Sequence, residues 1–139
     1  MEASARYLML HAVIVLLAGL LAGIPYGRAI LRDTDERLIG AWRVAHAALP
    51  MGAILLLVLA VSFSGLDVAI NLKWIIAVLF IISAYGFILA LLLGPVVGYR
   101  GLSSEGPAAA KLVYFGNYLG AISSLSGTVA LLYAAWLNL

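Results

Sequence analysis

The sequence predicts an all-α, integral membrane, antiparallel four-helix bundle in one domain spanning residues 1–139. Three observations lead there. Hydrophobic residues make up 65% of the chain and charged ones only 10%, a balance a water-facing surface does not tolerate. The mean hydropathy of +1.15 agrees. Apolar runs of bilayer length recur four times, at about Tyr7–Tyr26, Trp42–Phe63, Ile70–Leu93 and Lys111–Leu137, broken by charged or Gly/Pro-rich connections. There is no cysteine, which excludes thiol–disulfide membrane enzymes, iron–sulfur clusters and covalently attached haem. The net charge of +2 is small and its basic residues lie in connections, so nucleic acid is not an expected partner.

The first run is long enough to stay in the membrane rather than act as a cleaved leader. It carries His11 near its start, and Gly19, Gly23 and Gly27 repeat at the spacing that lets helices approach backbone to backbone. Pro25 is expected to bend or end it. The connection Arg28–Ala41 is the most charged part of the chain, and Asp33-Thr34-Asp35-Glu36 reads as the start of a short interfacial helix.

The second run opens with Trp42-Arg43-Val44-Ala45-His46 and continues through Pro50 and Gly52. A histidine inside a span is costly to bury and is a functional candidate. Helical geometry puts Trp42, His46 and Pro50 on one face, with Arg43 a turn from His46. Pro50 has no N–H, so the carbonyl of His46 loses its helical donor and the backbone beside the imidazole is loosened. Gly52 leaves room for close approach by something bulky. Imidazole, cation, aromatic and bare backbone together suit a flat, anionic-tailed cofactor such as haem. The bland alternative is a buried histidine bonded to a neighbouring helix.

The third run contains Ser83, Tyr85 and Gly86, and Gly94-Pro95 is expected to stop it. A long Gly/Ser loop with Arg100 follows. The fourth run is the most polar. Its serines read as interhelical hydrogen-bonding groups, while Asn117 has the better claim to a cavity, and Gly116/Gly120 repeat the small-residue spacing. Six basic residues fall on the connections after the first and third runs and only Arg6 and Lys73 on the other side, which puts the termini outside the cytoplasm. No acidic residue lies in any span, which argues against proton-coupled export.

Trp42-Arg43-Val44-Ala45-His46, the early His11 and Arg100-Gly101-Leu102-Ser103 after the third run together resemble the styrene oxide isomerase family of small bacterial membrane proteins. The resemblance implies a multi-pass protein of a bacterial or archaeal inner membrane that assembles as a homotrimer. It implies haem b near subunit interfaces with His46 as axial ligand. It also implies a ferric Lewis acid that converts a small hydrophobic epoxide to an aldehyde. Two family positions differ. An asparagine six residues after the axial histidine is Gly52 here, and a substrate-positioning tyrosine of the third span is Ile88. Tyr85, one turn earlier on the same face, either substitutes for it or merely packs, and with Asn117 is the candidate catalytic side chain. His11 is a second axial ligand, a polar group of the pocket or an interfacial histidine. Arg43 and Arg100 pair with haem propionates or with lipid headgroups, and Trp42 packs on haem or sits in the aromatic belt. A haem-based gas or redox sensor, or an electron-transfer module, is the alternative on the same fold. A small transporter or structural bundle without cofactor is the third reading.

Overall fold

The computed structural model describes all 139 residues. It is entirely helical: α1 (Ala3–Leu21), α2 (Gly23–Leu31), α3 (Glu36–Ser62) with a 3-10 turn at Phe63–Gly65, α4 (Ile70–Val97) and α5 (Ala108–Trp136). Together α1 and α2 make one span, and the four spans are each long and apolar enough to cross a bilayer. The protein is therefore a multi-pass integral membrane protein.

The helices outrun the apolar runs that mark them. Backbone hydrogen bonding continues into the interface after hydropathy has fallen, so α3 begins at Glu36 rather than Trp42. The expected separate interfacial helix does not exist. Asp35 instead caps α3, its carboxylate accepting from the Arg37 N–H at 3.0 Å. Nor does Gly94-Pro95 stop α4. The helix runs on to Val97 and ends at Gly98, whose φ of +77° is the left-handed conformation that closes a helix. Pro25 bends the first span as expected, and the break falls at Ala22, one turn earlier, where the proline leaves the Leu21 carbonyl without its donor.

The core lies toward the end that carries the termini. Leu8 and Val15 of α1, Leu56 of α3, Phe63 of the 3-10 turn and Ile76 of α4 are fully buried there. Lys73 closes this end. It is 4% exposed, and its Nζ donates to the Phe63 carbonyl at 2.8 Å and to Glu2 Oε1 at 2.7 Å. One cation thus ties the start of α1, the end of α3 and the start of α4 together.

On the far side α5 packs almost solely on α4, through glycine. A Cβ on Gly86 would lie 2.8 Å from both the Gly116 carbonyl and the Gly120 nitrogen. Ser83 Oγ donates across the seam to the Gly120 carbonyl at 2.8 Å. The expected interhelical bonds from the α5 serines are not made: Ser124 and Thr128 donate to carbonyls of their own helix. Most large side chains elsewhere on α5, among them Phe115, Leu125, Val129 and Leu132, face outward, as a lipid-solvated helix requires.

Candidate functional site

The residues singled out above fall in three places rather than one. The first is built around His46, where α3 crosses the bend between α1 and α2. Its Nδ1 lies 2.9 Å from the Gly19 carbonyl. A carbonyl oxygen only accepts, so Nδ1 carries the proton and Nε2 keeps a free lone pair. The imidazole rests on Gly23, where a Cβ would lie 2.9 Å from His46 Cε1. Pro50 occupies the next position along, and a Cβ on Gly19 would lie 2.8 Å from Pro50 Cγ and 2.9 Å from Leu49 Cβ. Gly19 and Gly23 are thus the seat of the histidine and the proline. Gly27, third in the repeat, has nothing near it and takes no part.

Tyr26 completes this cluster, and sequence reasoning missed it. Its ring centroid lies 6.0 Å from that of His46, and its hydroxyl accepts from Arg43 Nε at 3.1 Å. The signal was present: Tyr26 follows Gly19 and Gly23 at helical spacing, on the same stripe. Trp42 is half-buried on the face of α3 that carries His46, and Gly52 opens onto unfilled space. His46 is itself half-buried, and Nε2 has no hydrogen-bond partner. A histidine serving only to hold two helices together would need the Nδ1 bond too. The unpartnered nitrogen inside a span is what goes beyond that role.

The second place is a contact between α1 and α4. Here His11 Nδ1 meets the Tyr85 hydroxyl at 2.8 Å, their rings edge to face at 5.5 Å. Tyr7 stacks near His11, and Trp74 lies 5.4 Å from Tyr7. From His11 to Gly19 is about 12 Å of helix. That separation puts His11 and His46 of one chain at different depths, too far apart to hold one ion between them. Ile88 packs against the core, below Tyr85.

The third place lies at the arginine-rich end, between α3, the end of α4 and the loop after it. Asn117 spends its amide on that loop, donating to the carbonyls of Arg100 at 3.1 Å and Gly101 at 3.4 Å. Asn117 and Arg100 line a cleft of about 580 Å³ with Arg37, Ala41 and Val44. These α3 residues point away from the His46 side of the helix. Neither Arg100 nor Asn117 approaches His46 within the chain, and no group of three histidines or carboxylates is placed to hold a bare metal ion.

Four spans, with the imidazole of His46 seated on two glycines beside a helix break and its Nε2 unpartnered, define a small polytopic helical membrane protein with an intramembrane histidine site. The chain belongs to the styrene oxide isomerase family, whose model matches residues 4–136. No curated protein matches it.

Proposed function

We propose that this protein binds haem b through His46 Nε2 and isomerises a small hydrophobic epoxide to an aldehyde. The observation that carries the reading is the hydrogen bond from His46 to the Gly19 carbonyl. Histidines that ligate metals commonly donate their other ring nitrogen in this way, which sets the tautomer and ring orientation and raises the basicity of the ligating nitrogen. Trp42, one turn from His46 on the same face, suits a flat macrocycle, and Arg43, steadied by Tyr26, is a cation within reach of an anionic substituent. A single imidazole nitrogen would hold the iron, in keeping with haem.

Bound haem supplies a Lewis-acidic ferric iron that polarises the epoxide oxygen. The isomerisation keeps every atom of its substrate: one C–O bond breaks, a hydride moves to the neighbouring carbon and C=O forms. It needs no external oxidant or reductant. The chain's own contribution is to orient the imidazole, place Arg43 and Tyr26 beside it, and exclude water, which would open the epoxide to a diol. The half-buried His46 face and the exposed Met51, Ile54 and Val58 along α3 suit cover by a second copy, and we include a homotrimer in the reading. The family and the arginine distribution favour a bacterial or archaeal inner membrane with the termini outside the cytoplasm.

The test is the visible spectrum of purified protein beside His46→Ala. A Soret band is expected in the wild type and not in the variant, together with phenylacetaldehyde from added styrene oxide. Colourless wild-type protein, or a band that survives the substitution, overturns the site. Gly52 and the core-packed Ile88, where the family pattern has polar side chains, favour a second reading as a haem sensor or electron-transfer module. A Soret band with gas binding or redox cycling and no aldehyde supports that one.

A further inference from the structure

The arginine-end cleft is not used by the reading above, and its chemistry is specific. Arg37 and Arg100 line both the inner cleft and an adjoining outer recess of about 810 Å³. Neither guanidinium forms an ion pair or hydrogen bond within the chain; the sole ion pair is Lys73–Glu2, at the opposite end. Two unpaired guanidinium groups converging on one cleft can hold a single phosphate through several charge-assisted bonds. Glu36, exposed in the first turn of α3, lines the same inner cleft and adds one carboxylate, while Asp35, whose carboxylate accepts from the Arg37 N–H, lines only the outer recess. Below the charges the wall turns apolar, through Ala41 and Val44 of α3 and Leu91 of α4. From Arg37 to Val44 is about 10 Å of helix, so the cleft runs from the interface into the hydrocarbon.

We infer that this cleft is a phospholipid site selective for phosphatidylethanolamine. Arg37 and Arg100 hold the phosphate, Glu36 receives the primary ammonium, and an acyl chain lies along Ala41, Val44 and Leu91. The charge order fits that headgroup: two cations for the phosphodiester and one carboxylate for the amine. Basic pockets between helices at the membrane interface recurrently hold the phosphate of a lipid headgroup, and Glu36 is what turns this one toward an amine-bearing lipid.

The test is native mass spectrometry of the full-length protein released from detergent after incubation with defined lipids, with the visible spectrum recorded on the same samples. Wild type is expected to retain phosphatidylethanolamine over phosphatidylcholine and phosphatidylglycerol. Arg37→Gln with Arg100→Gln is expected to lower retention about tenfold or more. Glu36→Gln is expected to erase the preference for ethanolamine over choline while keeping phospholipid bound. Arg37→Lys with Arg100→Lys, which keeps both charges, restores part of the retention and controls for folding. Retention unchanged in the glutamine double variant overturns the site, and displacement of lipid by millimolar inorganic phosphate overturns the lipid as occupant. Loss of lipid with an unaltered Soret band leaves the His46 reading untouched, so the two proposals fail separately.

Discussion

At the residue scale the site rests on what glycine allows. A methyl at position 23 would meet His46 Cε1 at 2.9 Å, so Gly23→Ala must tilt the imidazole away from its seat. The expected outcome is haem affinity lower by about tenfold with the fold retained, read by haem titration beside circular dichroism. Loss of helicity instead would show that the seat is structural alone. Lys73 gives a second case. Lys73→Met leaves the Phe63 carbonyl with only its long 3.4 Å bond from the Leu66 N–H and unpairs Glu2, and about 1–2 kcal/mol of stability is expected to go, measured by unfolding in mixed micelles. Glu2→Gln is expected to have the smaller effect, because Glu2 is 40% exposed and water replaces its partner. His46 was legible in the sequence because a lone imidazole in a lipid-length run stands out chemically. Tyr26 and Lys73 were not: a tyrosine or lysine near a span end reads as interfacial, and only the fold shows what each touches.

At the element scale, the number, order and antiparallel arrangement of the spans were legible from hydropathy alone. Their ends were not, since a charged residue can sit on a helix that continues past the apolar zone, as Arg28 and Arg37 do. The Gly116/Gly120 spacing marked the α4–α5 seam, while the role of Gly86 as its counterpart needed the packing. Gly86→Ala brings a methyl against two backbone atoms of α5 that have no rotamer to yield, so the helices must part. A loss of about 1–3 kcal/mol is expected from the same unfolding measurement. Because α5 leans almost solely on α4, the same change is expected to raise protease sensitivity near the 98–107 loop before it disturbs α1 and α3. The α5 hydroxyls misled because serine and threonine in a helix satisfy themselves on the preceding turn, which spacing does not reveal.

Over the whole molecule, the bundle keeps its large apolar core at one end and its clefts and every arginine but Arg6 at the other. Burial of Lys73 in an ion pair removes it from the charges that orient a chain, and so sharpens the asymmetry across the membrane. With no native cysteine, single cysteines report topology directly. An impermeant maleimide added outside whole cells is expected to label Ser64→Cys and to leave Thr34→Cys and Ser104→Cys unreacted; the reverse pattern would invert the orientation. The sequence could not bring the candidate residues together or keep them apart, because His11, His46 and Arg100 are separated by helix depth and by the two sides of α3. The contact between His46 and the Gly19 carbonyl has one consequence of another kind. An acceptor that belongs to the main chain is encoded by no codon, so mutation cannot delete it and can only move it, by straightening the bend or crowding the gap. The proton's place on that ring is therefore inherited through shape, and it would outlast wide drift in the side chains around it.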